Sequence, residues 1–271
     1  MQVYLTGGDT VGKQAVIGMD AGSTSIKLTF YDGERMRHWL TPAGWAPKRA
    51  AQALLDQVLA EEGMTDDALR GIIGTGYGRI ALPFLSKTVT EIACHAKGAV
   101  ILRPGTRTVI DIGGQDAKAI ELSAEGKVTN FIMNDKCAAG TGKFLEVASR
   151  ALGLDIHEFG ELHAEDAGQT CRISSMCAVF AETEIVSLLN QGVSRTAIVN
   201  ALHQAVASRV AVMAARINLR GPIFLSGGVA SNNKLVAALA EALNHEIESH
   251  ELAPYAGAIG AAALAWEQFV L

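Results

Sequence analysis

Val109-Ile-Asp-Ile-Gly-Gly-Gln-Asp116 is an apolar run that ends in an acidic residue and a glycine turn, and an earlier stretch has the same plan. That stretch is Ile17-Gly-Met-Asp-Ala-Gly22. Aligning the two units pairs Asp20 with Asp111, Gly22 with Gly113, and Lys27 with Lys118. Each unit is predicted to be a strand, an acidic turn, a return strand, a glycine turn and a third strand. Such self-similarity predicts a duplicated lobe, with two acidic turns facing each other across a cleft.

Helical patterns alternate with these strands, so the predicted fold class is α/β. At 271 residues, the chain is long enough for two lobes. The predicted helices cover residues 48–62, 90–102, 142–152, 178–190, 196–219, 232–243 and 256–270, with a weaker pattern at 156–163. Thr90 is a candidate N-cap. Residues 1–14 are interpreted as an N-terminal arm.

Composition excludes several classes of protein. A hydrophobic content of 49% with 19% charged residues is typical of a soluble globular protein. The net charge of −5 argues against a nucleic-acid partner. The N-terminus lacks the features of a signal peptide, and no run of 18 apolar residues predicts a membrane span. Four cysteines without a secretory signal favour thiols or metal ligands, so we expect a cytoplasmic protein.

The small-residue turns suit a nucleotide. Glycine lets backbone N–H groups approach phosphate oxygens, and Ser23 and Thr24 add hydroxyl donors. Asp20 and Asp111 are suitable for a hydrated Mg²⁺, which takes few carboxylates. Gly227-Gly228, after a buried strand, allows close approach to a base or sugar. An Asp-x-Gly turn alone usually only closes a hairpin, but three glycine turns in this order favour a nucleotide site.

These motifs resemble those of the actin, sugar-kinase and heat-shock ATPase superfamily, whose lobes have a ribonuclease H-like fold around a nucleotide cleft. Asp20-Ala-Gly-Ser-Thr and Asp111-Ile-Gly-Gly-Gln look like its two phosphate motifs, and Phe224-Leu-Ser-Gly-Gly-Val229 looks like its adenosine motif. The resemblance implies a first lobe of residues 15–106 plus 250–271 and a second of 107–249. It implies binding of ATP, ADP and Mg²⁺. The implied catalytic residues are Asp20, Asp111 and Gln115, the last orienting water; the implied nucleotide contacts are Gly22, Ser23, Thr24, Lys27, Gly113, Gly114, Gly227, Gly228 and Asn232.

Two of the cysteines form a pair with a shared context. Cys137 and Cys177 are each predicted to begin a helix in the second lobe, where the helix dipole favours a thiolate. The alternative interpretation is two buried small hydrophobic residues. For Cys94 we favour burial, and Cys171 has no assigned role. The spacing of Cys171 and Cys177 is not that of a zinc knuckle. Two thiolates are half of what an iron–sulfur cubane needs, and a two-fold dimer supplies the rest.

A more specific resemblance rests on three longer motifs. They are Asn134-Asp-Lys-Cys-Ala-Ala-Gly-Thr-Gly142, the Ser175–Glu182 segment around Cys177, and Val109–Asp116. Together they closely resemble the activator ATPases of 2-hydroxyacyl-CoA dehydratases and the ATPase subunits of benzoyl-CoA reductases. Thr75–Arg79 and Glu91-Ile-Ala-Cys-His95 fit the same family. Cys171 and the upstream extension 1–14 depart from its pattern.

This resemblance implies a homodimer with one [4Fe–4S] cluster, held by Cys137 and Cys177 of each chain. It also implies that ATP hydrolysis drives a low-potential electron to an iron–sulfur dehydratase or reductase, with reduced ferredoxin or flavodoxin as the donor. Two alternatives stay open at this point: a small-molecule kinase of the same fold, and an iron-free ATP-dependent regulator with structural cysteines.

Overall fold

The computed structural model describes residues 14–64, 68–161, 169–175 and 177–271, and it contains two five-stranded sheets. The first sheet comprises β1 (Ala15–Ala21), β2 (Ser25–Tyr31), β3 (Met36–Pro42), β4 (Leu69–Thr75) and β5 (Lys87–Thr88). The second comprises β6 (Thr108–Ile112), β7 (Ala117–Leu122), β8 (Val128–Asn134), β9 (Ile223–Ser226) and β10 (Ile247–Glu248). The predicted arm, except for its last residue, lies outside the described residues.

The two sheets have the same strand order, β3-β2-β1-β4-β5 and β8-β7-β6-β9-β10. In each, the first strand pairs antiparallel with its return strand and parallel with a later one. The register also repeats, because Asp20 lies opposite Lys27 and Asp111 lies opposite Lys118. The predicted repeat is therefore confirmed in topology and register. Both acidic residues lie near the carboxyl ends of central strands, where α/β sheets bind ligands.

The helices follow the sequence pattern closely. They are α1 (Pro47–Glu61), α2 (Glu91–Leu102), α3 (Gly142–Leu152), α4 (Ala178–Asn190), α5 (Arg195–Ala214), α6 (Asn233–Leu243) and α7 (Ala256–Phe269). Thr90 caps α2 as predicted, accepting a hydrogen bond from the N–H of Ala93. The predicted helix 196–219 ends earlier, at Ala214. The weak pattern at 156–163 is a 3-10 turn over Ile156–Gly160, and its last two residues lie outside the described part of the chain.

Helices α2 and α7 pack on each other at the distance of backbone contact. A side chain at Gly98 would clash with the carbonyl of Ala256, and one at Gly260 would clash with the carbonyl of Cys94. Gly18, in β1, is held equally close to Ala258 of α7. The small residues are therefore required by the approach of three backbones. Because α2 also contributes Ala96 and Ala99 to the core of the second sheet, this helix pair joins the two sheets.

Helix α5 is the one described helix whose length and composition would allow it to cross a membrane. Of its apolar window, 56% is buried inside the protein, and residues such as Ile198, Leu202 and Val206 pack in the core of the second sheet. Its apolar character is thus explained by packing within the fold. The first sheet has its own core, in which Leu54, Leu55 and Val58 of α1 are buried.

Candidate nucleotide site and cysteine pair

A cavity of about 690 Å³ opens between the two sheets, at the carboxyl ends of β1 and β6. Every residue that the sequence assigned to nucleotide or catalysis lines it, namely Asp20, Gly22, Ser23, Thr24, Lys27, Asp111, Gly113, Gly114, Gln115, Gly227, Gly228 and Asn232. The structure therefore brings the two phosphate motifs and the adenosine motif together. Their individual roles stay predictions.

The two phosphate turns contact each other. A side chain at Gly114 would clash with the hydroxyl of Thr24, and it would lie 3.3 Å from the hydroxyl of Ser23. Gly227 has a φ of +93°, and a Cβ there would collide with the carbonyl of Ile112. Glycine is thus required in both turns of the second lobe, because each approaches other chain segments too closely for a side chain.

Asp111 is buried with both carboxylate oxygens engaged. Its Oδ2 accepts from Lys118 Nζ at 3.0 Å, and its Oδ1 accepts from Ser226 Oγ at 2.8 Å and lies 3.1 Å from His95 Nδ1. Burial by itself raises the pKa of Asp111, but the charges of His95 and Lys118 outweigh it and hold that pKa well below its usual range. Both oxygens of Asp111 are thus committed to partners within the fold.

Lys118 neutralises a group of three carboxylates. Its Nζ lies 3.0 Å from Asp111, 3.0 Å from Glu91 and 2.7 Å from Asp116, and its side chain is 2% exposed. Burial favours the neutral amine, but the three carboxylates outweigh it and raise the pKa of Lys118. A buried lysine with this many acidic partners is a permanent charge.

His95 connects the two halves of the site. Its Nε2 lies 3.9 Å from Oδ2 of Asp20, in the first sheet, while Nδ1 faces Asp111, in the second. Burial lowers the pKa of His95, but the carboxylates of Asp111 and Asp20 outweigh it, and the pKa lies above its usual value. In the sequence, His95 is visible only inside a family motif, and Lys118 only as the counterpart of Lys27. The spacing of Glu91 and His95 on one helix was the available signal for this cluster.

Asp20 is also enclosed, at 6% exposure. A Cβ at Gly76 would lie 2.6 Å from its Oδ1, and a Cβ at Gly257 would lie 2.8 Å from its Oδ2. The Gly-rich turn after β4 and the start of α7 therefore form the walls around this carboxylate. Within the described residues, the one charged group placed against Asp20 is His95.

The phosphate turn is joined directly to the first turn of α3. The N–H of Gly142 donates to the carbonyl of Gly113 at 2.9 Å, and the N–H of Lys143 donates to the carbonyl of Gly114 at 2.8 Å. A helix leaves its first N–H groups without partners inside the helix, and here the phosphate turn satisfies two of them. The segment that carries Cys137 thus begins and ends on elements of the nucleotide site, since Asp135 also lines the cavity.

The side chain of Asn232 is occupied within the fold. Its Oδ1 accepts from the N–H of Leu235, so Asn232 caps α6, and its Nδ2 lies 3.0 Å from Nε2 of His203. Gln115, in contrast, is exposed at the cavity. A water-orienting role needs a free amide, so the structure leaves Gln115 available for it and commits Asn232 to positioning α6.

The prediction that both cysteines begin a helix is confirmed for one and wrong for the other. Cys177 is the N-cap residue of α4. Cys137 lies in a loop, five residues before the first residue of α3, whose N-terminal N–H groups face the phosphate turn. Helix α3 begins at Gly142 as predicted, and Gly140, with a φ of +82°, keeps the residues between Cys137 and Gly142 out of the helix. Asn134 holds the loop by donating to the carbonyl of Cys137 at 2.9 Å.

The alternative of two buried cysteines is excluded by the exposure of both Cys137 and Cys177. Cys94 is buried as expected, and burial raises the pKa of its thiol to about 12. Cys171 is half-buried, and burial also raises its pKa. Among the described residues, no three His, Cys, Asp or Glu side chains converge as a metal site requires. The four cysteines therefore do not form a zinc site within the described part of one chain.

The segment before Cys177 is held by two charged side chains. Glu184 of α4 accepts from the N–H groups of Ser174 and Ser175, each at 2.9 Å. Burial raises its pKa, but these hydrogen bonds dominate and lower the pKa of Glu184 to about 2. Arg209 of α5 donates from Nη2 to the carbonyl of Ser175 at 2.5 Å. Ser174 and Ser175, which precede the N-cap cysteine, are therefore held by side chains of both α4 and α5.

With this geometry in place, comparison with known proteins identifies the family. The model of the BadF/BadG/BcrA/BcrD ATPase family matches residues 17–265. The chain belongs to that family. This ATPase is 42% identical over 252 residues to the activator of lactoyl-CoA dehydratase of Anaerotignum propionicum, with 93% of this chain and 97% of the relative aligned.

Two solved structures show the same fold. One is component A of the (R)-2-hydroxyglutaryl-CoA dehydratase of Acidaminococcus fermentans, at a TM-score of 0.88 and 38% identity, covering 95% of this chain and 100% of that one. The other is the activator of the 2-hydroxyisocaproyl-CoA dehydratase of Clostridium difficile with bound ADPNP, at a TM-score of 0.88 and 36% identity, covering 94% and 95%. The two-sheet α/β architecture is the actin-like ATPase fold, and the protein binds and hydrolyses ATP.

Proposed function

We propose that this ATPase is the activator of an iron–sulfur 2-hydroxyacyl-CoA dehydratase or a related reductase. In this role it works as a homodimer, with one [4Fe–4S] cluster held by Cys137 and Cys177 of each chain. ATP hydrolysis is coupled to the delivery of a low-potential electron, which the protein receives from reduced ferredoxin or flavodoxin. The names of the relatives support the class of partner. We also propose a cytoplasmic location, because free cysteines suit a reducing compartment.

One observation carries the proposal: an exposed cysteine lies on a loop that is bonded to the phosphate turn. Gly142 and Lys143 donate to Gly113 and Gly114, and Cys137 lies five residues upstream. A change at the terminal phosphate can therefore reach this cysteine through two backbone hydrogen bonds. Such a connection has no use in a simple kinase, whereas an electron carrier driven by ATP requires one.

The residues present fit a cluster. Both cysteines are exposed, so ligands from a second copy can approach them. Arg209, which contacts the segment before Cys177, has a buried Nη1 without a hydrogen-bond partner. The N-terminus of α4 adds positive potential at Cys177. Val179, Phe180 and Val186 of α4 are 67%, 67% and 47% exposed, which suits an apolar contact between copies around the N-cap cysteines.

The described residues have distinct tasks in the cycle. Ser23, Thr24 and the turn at Gly113–Gly114 bind the phosphates, and Gln115 orients the attacking water. Asp20 binds the hydrated Mg²⁺, while Asp111 is oriented by Lys118 and His95. When bound, the cluster supplies a one-electron carrier at low potential. Closure of the cleft moves the phosphate turn, and α3 transmits this movement to the Cys137 loop.

Anaerobic purification tests the proposal. We expect a brown protein with about four irons and four sulfides per dimer. C137S and C177S should each lose the iron and the ATP-driven electron transfer to the partner enzyme. C171S is the matched control, because it removes a thiol from the same lobe and should keep the iron. A colourless wild-type protein under strictly anaerobic conditions would favour the iron-free regulator, and phosphorylation of a sugar or acid by that protein would favour the kinase.

A further inference from the structure

Arg209 lies where the two cysteine-bearing segments meet. Its Nη2 donates to the carbonyl of Ser175, two residues before Cys177. On the other side, a Cβ at Gly140 would lie 3.4 Å from Cβ of Arg209, so the loop that follows Cys137 rests on this residue. One side chain of α5 therefore contacts both segments, although the cysteines are 40 residues apart in sequence.

The guanidinium group of Arg209 is half-buried over an aromatic ring. Its Cζ lies 4.6 Å from the ring centre of Phe144, and Nη1 is buried without a hydrogen-bond partner. Among the described residues, no carboxylate forms an ion pair with Arg209, since the nearby Glu184 is bonded to Ser174 and Ser175. Burying a charged N–H group without a partner is costly, so the unpaired Nη1 needs an explanation, such as a functional role or a bound group.

This unpaired N–H group belongs to the side chain that contacts both cysteine-bearing segments, which indicates the partner it awaits. We propose that Arg209 is a positioning residue of the cysteine pair, which holds both segments in register and places its charge and free N–H beside the anionic group that the cysteines bind. The inference rests on the proposed function, because that group is the cluster. A positive charge beside a cluster favours its reduced form, which carries one more negative charge.

Redox titration of the dimer, monitored by electron paramagnetic resonance, tests whether the charge of Arg209 favours the reduced cluster. R209M should shift the reduction equilibrium about tenfold toward the oxidised form, equivalent to about 59 mV for one electron. R209K, which keeps the charge, should restore most of the shift. R195M is the matched control, because it removes an exposed arginine from the first turn of the same helix. An R209M protein with a full cluster and the wild-type potential would overturn the inference.

The positioning is tested without the cluster, by amide hydrogen exchange of iron-free protein. R209M should exchange faster than R195M in residues 173–175 and 138–140, and R209K should be intermediate. Equal rates in R209M and R195M would overturn the positioning role. This measurement separates the role of Arg209 from the proposed function. A wild-type protein that never binds iron would contradict the proposed function, but the exchange rates would still decide whether Arg209 positions the two segments.

Discussion

The two lysines that follow the acidic strands occupy equivalent positions in the repeat but have different surroundings. Lys118 is buried among Asp111, Glu91 and Asp116. Lys27 lines the cavity, its Nζ lies 3.8 Å from a Cβ placed at Gly22, and no ion pair is found for it within the described residues. Lys118 is thus part of the buried core, whereas Lys27 is available to bind a phosphate.

Substitution should separate these two roles. We expect K27A to weaken ATP binding by about tenfold or more, since a charge-assisted hydrogen bond contributes about 1.5–3 kcal/mol, with little change in stability. K118M should instead lower the free energy of unfolding by about 3 kcal/mol, because it leaves buried carboxylates unpaired. For both variants, calorimetry measures the affinity for ATP and urea denaturation measures the free energy of unfolding. Equal effects of the two substitutions on ATP affinity would show that the lysines are not differentiated.

His203 gives the protein a weakness at acid pH. It is 2% exposed, its Nε2 accepts from Asn232, and burial lowers its pKa to about 4. The buried Nδ1 has no partner. As pH falls from 6.5 toward 4, the unfolded chain binds a proton that the folded protein does not, so stability is lost across this window. From pH 8 to pH 5 we expect a loss of about 2 kcal/mol from this residue.

Urea denaturation of H203Q between pH 8 and pH 5 checks this expectation. The variant should be less stable at pH 8 but should lose less stability on acidification than the wild type. H250Q, which changes an exposed histidine just beyond β10, should keep the wild-type slope. If H203Q and wild type have the same slope, other groups cause the acid sensitivity.

At the scale of elements, the pairing of α2 with α7 determines how close the two sheets lie. G260A would force the new methyl into the carbonyl of Cys94, on the facing helix. Helix propensity would gain up to about 1 kcal/mol, but the clash is with backbone that cannot move alone, so we expect a net loss of about 3 kcal/mol or more. Thermal denaturation checks this, with G228A as control, since nothing lies within 4 Å of a Cβ there.

Element boundaries were predictable where local chemistry sets them, and the failures have physical causes. Thr90 caps α2 by its own side chain, and apolar runs followed by glycine turns located β1, β6 and β9. The start of α3 at Gly142 was predictable, but the position of Cys137 in a loop was not, because the carbonyls of Gly113 and Gly114 that satisfy the first N–H groups of α3 are distant in sequence. Long-range partners of this kind leave no local signal.

The candidate site shows the same limit. The glycine turns and both acidic residues were predictable, because duplication makes their spacing visible twice. The burial of Lys118 and the placement of His95 between Asp20 and Asp111 depend on how α2 crosses the two sheets. Arg209 was missed for a related reason, since its partners lie on two loops that only the folded chain brings to α5.

At the scale of the whole molecule, the cleft is acidic for a protein that binds a polyanion. Among the described residues that line it, the carboxylates are Asp20, Glu91, Asp111, Asp116, Asp135, Glu146 and Glu161, whereas the lysines are Lys27 and Lys118. Lys118 and His95 neutralise part of this negative charge, and Lys136, Lys143 and Arg150 form ion pairs with Asp135 and Glu146 at its edge. The carboxylates still outnumber the cations that line the cleft, which disfavours free ATP. A divalent cation is therefore expected to accompany the nucleotide.

Removing Mg²⁺ should therefore weaken ATP binding by at least about tenfold, because the metal neutralises both the phosphates and Asp20. Calorimetric titration with and without EDTA measures this. Adenosine is the matched control, since it carries no charge and its affinity should not depend on the metal. Equal affinity for ATP in EDTA would show that Lys27 and the backbone N–H groups suffice.

The loop that carries Cys137 is fastened at both ends, by Asn134 at its start and by the bonds from Gly142 and Lys143 to the phosphate turn at its end. The number of residues in this loop therefore determines where Cys137 lies relative to the phosphate turn. One extra glycine between Ala138 and Ala139 costs little in chain entropy, and the described nucleotide site is untouched. We expect such an insertion to slide the cysteine away from its register, leaving a protein that consumes ATP futilely, which a paired assay of phosphate release and partner reduction would reveal.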